Sequence, residues 1–179
     1  MHGDFLQPLI SAERIESRIE ELGRNISADY PAGKNMPELR LIGILKGSFI
    51  FLADLIRQIS RDVSVDFLGV SSYGLSTKSS GKIKIQQDLT HKIEGVDVVL
   101  VEDIIDTGTT LSYVCNILKQ RNPHSLRIAT LLDKPSRRVV KISPSYVGFE
   151  IPDKFVVGYG LDHSQYFRNR SDICVLTEK

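Results

Sequence analysis

The chain has 179 residues, 41% hydrophobic and 25% charged, and its 23 lysines and arginines nearly balance 22 aspartates and glutamates to a formal charge of +1. That length suits one domain with a sizeable core, and the charge balance gives no footprint for nucleic acid or an anionic membrane. No apolar run approaches the ~20 residues of a membrane span, and the start Met1-His2-Gly3-Asp4-Phe5 lacks the basic and long apolar regions of a signal peptide, so a cytoplasmic protein is expected.

Taken in order, Ser11 can cap a helix whose apolar residues Ile15, Ile19, Leu22 and Ile26 recur on one face. The loop from Tyr30 to Pro37 ends it. Leu39 to Leu45 reads as a strand that runs into Lys46-Gly47-Ser48, and Phe49 to Ile59 as a helix packed on the sheet. Val63, Val65 and Phe67 alternate with polar residues in a second strand reaching about Val70. Ser71 to Gly81 is polar and bounded by glycines, the composition of a surface loop or lid. Ile83 and Ile85 start a return strand, which makes the segment a long hairpin arm.

Val98 to Thr110, V-V-L-V-E-D-I-I-D-T-G-T-T, organises the rest. Four apolar residues suit a buried parallel strand, and Gly108 with Thr107, Thr109 and Thr110 suits a tight turn. Leu111, Val114, Cys115 and Leu118 then fall on one helical face. A strand, a small-residue turn and a helix N-terminus present N–H groups and a positive dipole end to an anion. Glu102, Asp103 and Asp106 are unexpected there, because each would repel a phosphate by roughly 1 kcal/mol at 4 Å even in water. The ligand should therefore also bring hydroxyl donors, a divalent cation, or a centre that turns positive during reaction.

Asn122-Pro123 ends the helix, and Leu126 to Leu132 forms another strand, followed by Asp133-Lys134-Pro135 and the basic residues Arg137, Arg138 and Lys141. Strands alternating with helices indicate a doubly wound, mainly parallel α/β sheet flanked by helices, with ligands at the carboxyl ends of the strands. Tyr146 to Ile151, Phe155 to Leu161 and Ile173 to Leu176 read as short strands that, with the N-terminal helix, form a small subdomain over those ends. The expected division is a core of about 38–145 and a hood from about 1–37 and 146–179. Cys115 and Cys174 have no metal-type spacing and are expected to be buried free thiols.

Asp106-Thr107-Gly108 is also the tripeptide of aspartic proteases, but those need two such aspartates and a β-rich setting. The G-x-x-x-x-G-K-[ST] pattern of a P-loop is absent. Instead, Glu102 to Thr110 resembles the phosphoribosyl-pyrophosphate signature of the type I phosphoribosyltransferases. Leu45-Lys46-Gly47, Ser72-Tyr73-Gly74, Leu132-Asp133-Lys134-Pro135, Val147 to Asp153 and Val156 to Asp162 resemble the hypoxanthine-guanine branch of that family, in the same order. The likeness runs from about Leu39 to Leu176.

The resemblance implies purine salvage: transfer of the 5-phosphoribosyl group from phosphoribosyl pyrophosphate to hypoxanthine and guanine, giving IMP or GMP and pyrophosphate, with Mg²⁺. It implies an oxocarbenium-like transition state, which negative charge near the ribose stabilises. Glu102 and Asp103 would hold the ribose hydroxyls directly or through a Mg²⁺ hydration shell, and Asp162 would serve a second Mg²⁺. Asp106 would be the general acid/base at purine N7. Ile105 belongs to the same signature, and Thr107, Gly108, Thr109 and Thr110 would bind the 5-phosphate. Lys134 would donate to the 6-oxo group, Phe155 and Ile104 would sandwich the base, and Val156, next to Lys154 and Phe155, would meet the base edge with its backbone. Lys46-Gly47 would form the pyrophosphate loop, where the peptide before the lysine is often cis, and Arg168 would bind pyrophosphate too. Ser72 and Tyr73 would lie on a lid that excludes water. The family commonly has an aromatic residue after the Leu161-Asp162 pair; this chain has His163. Homodimers or homotetramers are implied, with no nucleic-acid partner. A regulator of the same fold that binds RNA would have a basic face and could dispense with Lys134 and Asp162. A transferase for orotate or adenine does not fit Lys134 and the Phe155 to Asp162 segment.

Overall fold

In the computed structural model, residues 6–72 and 83–177 are described. The chain opens with β1 (Leu6–Ile10) and α1 (Ala12–Asp29), then β2 (Leu39–Leu45), α2 (Phe49–Ile56), β3 (Ser64–Ser72) and β4 (Ile83–Gln87). It continues with β5 (Asp97–Ile105), α3 (Thr109–Lys119), β6 (Ser125–Asp133), β7 (Tyr146–Glu150), β8 (Val156–Val157) and β9 (Ile173–Leu176). Six strands form the main sheet in the order β4-β3-β2-β5-β6-β7. All its pairings are parallel except that of β4 with β3. A second sheet has the order β1-β9-β8 and is antiparallel.

Alternation along the central strands builds a core on each face of the main sheet. Leu39, Leu41, Val99 and Val101 join one apolar cluster with Ile15, Ile19, Leu22 and Ile26 of α1 and Phe51, Leu52 and Leu55 of α2. Ile42, Ile44, Val98 and Leu100 join the other with Leu111, Val114, Cys115 and Leu118 of α3. Each such aliphatic side chain contributes about 1.5–3 kcal/mol when fully buried. Ser11 caps α1 by accepting from the Arg14 N–H at 3.4 Å. Cys115 and Cys174 are buried and free. No helix among the described residues is long and apolar enough to cross a membrane.

Four expectations change. Tyr146 to Ile151 does not belong to the small subdomain: β7 pairs with β6 as the edge strand of the main sheet. The α1 helix likewise packs on that sheet beside α2, because its apolar stripe fits the Leu41 and Val101 face. Its Arg18 guanidinium donates to the carbonyls of Gly148 at 2.9 Å and Val147 at 2.7 Å, so polar groups of an edge strand find partners. The second sheet instead gains β1, which the sequence reading did not find. The helix expected to reach Ile59 ends at Ile56, and the strand expected over Phe155 to Leu161 is only Val156–Val157, followed by Gly158, Tyr159 and Gly160 with positive φ. The hairpin pairing of β3 with β4 is present, but residues 73–82, and with them the lid reading and Tyr73, lie outside the described residues.

Candidate active site

From β2 the chain steps outward to β3 and β4, then returns to the other side of β2 and continues through β5, β6 and β7. The order therefore reverses between β2 and β5, and in open α/β sheets a crevice for ligand forms outside the strand ends at such a switch point. The loops that meet there carry Lys46-Gly47 after β2 and Asp106 to Gly108 after β5. The strand β5 extends through Glu102, Asp103 and Ile104 to Ile105, so the carboxylates sit on the strand itself and not on the loop.

Glu102 retains some exposure as a residue, yet its Oε2 is sealed from solvent and lacks a hydrogen-bond partner. Burial, aided by the neighbouring Asp103 charge, pushes its carboxyl well above the usual range. Asp103 is raised to about 6, chiefly by burial, while the Ile104 N–H it accepts at 2.9 Å and the charge of Arg168 pull the other way. Gly47 faces this carboxylate so closely that a Cβ on it would lie 1.6 Å from Asp103 Oδ2. Only glycine lets the loop after β2 lie against Asp103. The Leu45–Lys46 peptide is cis, and Lys46 is exposed.

The phosphate-type turn forms as the sequence suggests. Gly108 takes φ +81 at the N-cap of α3, a conformation that suits glycine. The Thr107 hydroxyl donates to Thr109 Oγ1 at 3.2 Å and accepts the Thr109 N–H at 3.4 Å. Glu102, Ile104, Ile105, Asp106, Thr107, Gly108 and Thr110 line one cavity of about 100 Å³ with Leu111. Ser112 N–H closes the first helical turn on the Gly108 carbonyl, at 2.9 Å.

Beside this turn, Lys134 is buried at the end of β6, and its Nζ lies 3.8 Å from Asp153 Oδ1. Asp153 Oδ2 in turn lies 3.3 Å from Arg137 Nη1, and Arg137 Nε donates to Asp106 Oδ1 at 2.9 Å. Asp106 and Lys134 are thereby joined by a chain of alternating charge. Arg137 and Asp153 carry no role in the sequence reading; the signals for them are the basic pair after Pro135 and the place of Asp153 at the end of the Val147 to Asp153 motif. Ile104 is half-buried, Val156 buried and Lys154 exposed. Phe155 is 54% exposed, so it is not a core strand residue, and its ring meets His163 edge-on with centroids 5.6 Å apart.

On the other side of Asp103, Arg168 Nη2 lies 2.7 Å from Asp162 Oδ1 and its Nη1 donates to the Gly160 carbonyl at 2.7 Å. Asp162 Oδ2 also accepts the Gln165 N–H. Lys46-Gly47, Asp103, Asp162 and Arg168 thus form one corner, and Asp106, Lys134 and the 153–156 segment another, with Glu102 and the phosphate turn between. Ser72 ends β3, and Tyr73 lies beyond the described residues. Among the described residues no group of three or more His, Cys, Asp or Glu side chains converges for a metal.

Comparison with known proteins places this geometry in a family. Residues 10–164 match the phosphoribosyl transferase domain model. The chain is 47% identical to the hypoxanthine-guanine phosphoribosyltransferase of Bacillus subtilis, over 98% of its own length and 96% of that protein. It is 46% identical to the bifunctional protein TilS/HprT of Listeria innocua over 98% of its own length, but spans only 26% of that longer protein. A crystal structure of a hypoxanthine phosphoribosyltransferase from Staphylococcus aureus superposes with a TM-score of 0.91 at 44% identity, covering 97% of this chain and 93% of that one. The chain belongs to the phosphoribosyltransferases of the α/β type I fold, in their hypoxanthine-guanine branch.

Proposed function

We propose that the chain is a purine-salvage enzyme that moves the 5-phosphoribosyl group of phosphoribosyl pyrophosphate onto hypoxanthine or guanine, releasing pyrophosphate. The observation that carries this reading is Glu102: a sealed, unpartnered carboxyl oxygen at the switch point, beside a turn suited to phosphate. A native protein seldom leaves such a group without a partner unless a ligand supplies one. Ribose hydroxyls are donors of that kind.

In this reading Thr107 to Thr110 and the first turn of α3 hold the 5-phosphate, and Glu102 and Asp103 accept from the ribose hydroxyls. Their negative field stabilises the charge that develops at the anomeric carbon as pyrophosphate leaves. Lys134 donates to the 6-oxo group, while adenine presents an amino group there and leaves the buried ammonium unpaired. Asp106 exchanges a proton with purine N7. Ile104 and Phe155 cover the two faces of the base, and the Val156 backbone meets its edge. The Lys46-Gly47 loop and Arg168 take the pyrophosphate. The exposure of Phe155 suits a ring waiting for a base to stack on it.

Mg²⁺ fits the same residues. Glu102 offers an orphan hard oxygen, and Asp103 and Asp162, both within the field of Arg168, offer two more carboxylates. A cation that keeps several waters and binds through one or two carboxylates and substrate phosphates needs no converging protein cage. Bound there, it would neutralise charge on the leaving pyrophosphate. A homodimer or homotetramer in the cytoplasm completes the proposal.

Steady-state assays with hypoxanthine, guanine, xanthine and adenine, each with phosphoribosyl pyrophosphate and Mg²⁺, test it. Nucleotide should form from hypoxanthine and guanine, and not from adenine. The absence of product from any 6-oxopurine would sink the reading.

A further inference from the structure

Residues 134–139 run alongside residues 105–107 with a contact at nearly every step. The Lys134 N–H donates to the Ile105 carbonyl at 2.9 Å, and the Val139 N–H to the Thr107 carbonyl at 3.1 Å. Between these two, Arg138 Nη1 donates to the Asp106 carbonyl at 2.8 Å while its other nitrogen pairs with Asp133. Arg138 thus fixes the backbone of Asp106, and Arg137 fixes its side chain through the Nε bond to Oδ1.

Arg137 is about half exposed, as are Asp106 and Asp153, so these ion pairs add little to the stability of the fold. They do decide direction. A carboxylate on a short side chain can rotate, and a guanidinium bonded to Oδ1 restricts it and leaves Oδ2 for another partner. The same guanidinium holds Asp153, whose second oxygen lies near the Lys134 ammonium. The side-chain ends of Asp106 and Lys134 are therefore linked through two residues that belong to neither.

We infer that Arg137 and Asp153 are positioning residues that hold the proton-transferring carboxylate of Asp106 and the base-recognising ammonium of Lys134 in register for one purine. The inference rests on the transferase reading proposed above. Arg137 acts on the chemical step through Asp106, and Asp153 acts on base recognition through Lys134. A purine seated between Lys134 and Oδ2 of Asp106 would cover the bridge and shield it from water, where its geometry matters most.

Steady-state kinetics on Arg137→Gln, Asp106→Asn and the double variant test this, with wild type and Arg137→Lys alongside. Arg137→Gln should lower kcat about 10-fold, a fraction of the loss that misplacing a reacting group can produce, with both KM values nearly unchanged. In the Asp106→Asn background the same substitution should change kcat by less than about 2-fold, because coupled residues are not additive. Arg137→Lys should recover part of the loss, and Asp153→Asn should act mainly on the KM for hypoxanthine. A kcat for Arg137→Gln close to wild type overturns the inference. So does full additivity with Asp106→Asn, or an equal rise in the KM for phosphoribosyl pyrophosphate, which would assign Arg137 to phosphate binding. If wild type makes no nucleotide, the transferase reading fails and takes this inference with it; an active wild type with an indifferent Arg137→Gln refutes the inference alone.

Discussion

The strand β5 carries buried carboxylates at both ends, and the two ends treat them differently. At its start, Asp97 is 3% exposed and its Oδ1 is served twice: the Ser125 hydroxyl donates at 2.5 Å and the His124 ring Nδ1 lies 2.7 Å away. Tyr30 extends that network through Ser125. Asp66 on β3 is similar, accepting from the N–H groups of Phe67 and Thr90 at 2.8 Å each. Toward its end, Glu102 has an oxygen with no partner, and Asp103 sits against a glycine with its pKa raised by burial. The same residue chemistry ties down chain at one end and leaves an oxygen without a partner at the other. Burial alone does not separate these roles; satisfaction does.

Asp106 gives the largest expected effect. Replacing it with asparagine should lower kcat by roughly 10²- to 10⁴-fold, the range for losing a general acid/base, with little change in melting temperature. An unchanged rate would remove that role. The contrast between the two ends of β5 comes next. Asp97→Ala leaves the Ser125 hydroxyl without its buried acceptor and should destabilise the protein by about 1–3 kcal/mol, with activity retained when cold. Glu102→Leu replaces an unpaired buried carboxyl with an apolar group and should leave the melting temperature equal or higher, while abolishing turnover. If both variants lose stability alike, the distinction between the ends falls.

The smallest effect is on pH dependence. Folding raises the pKa of Asp103 from 3.8 to about 6 through burial, and Glu102 moves in the same direction. The folded chain then holds these protons more tightly than the unfolded one, so their contribution favours folding below about pH 4 and is lost as pH rises through about 6. The melting temperature of the ligand-free protein should therefore decline between about pH 4 and 6, and Asp103→Asn should flatten that decline. Glu38, Asp88 and Asp172, lowered by Ser64, Arg121 and Arg170 respectively, act in the opposite sense at more acidic pH. A slope untouched by Asp103→Asn would count against its burial in the ligand-free state.

Local signals made much of this molecule legible from its residues. The bounds of β2 and β9 could be read directly, and the buried face of α1 followed from Ile15, Ile19, Leu22 and Ile26. The signature from Glu102 to Thr110 points to a candidate site because its excess of acids is anomalous for a turn that would hold only phosphate. Non-local pairing was harder. The partner of β1 is β9, at the far end of the chain, and Pro8 interrupts its pattern. The sequence reading places Tyr146 to Ile151 in the small subdomain because nothing in it names β6 as the neighbour of β7. Arg137 looks like any solvated charge in a turn, and Asp153 only closes a motif without a stated role; the distances linking Lys134 to Asp106 set both apart.

The central claim is that the carboxyl of Glu102, a residue lining the cavity beside the turn, meets the ribose being transferred. Equilibrium titration of phosphoribosyl pyrophosphate with Mg²⁺, without purine, into wild type, Glu102→Gln and Asp97→Asn tests it most directly. A bound cation and donating ribose hydroxyls favour the ionised carboxyl in the complex, so losing that charged acceptor should weaken the Glu102→Gln complex about 10- to 100-fold, the worth of a hydrogen bond to an ionised group, while Asp97→Asn binds as wild type does. Equal affinities for wild type and Glu102→Gln would contradict the claim.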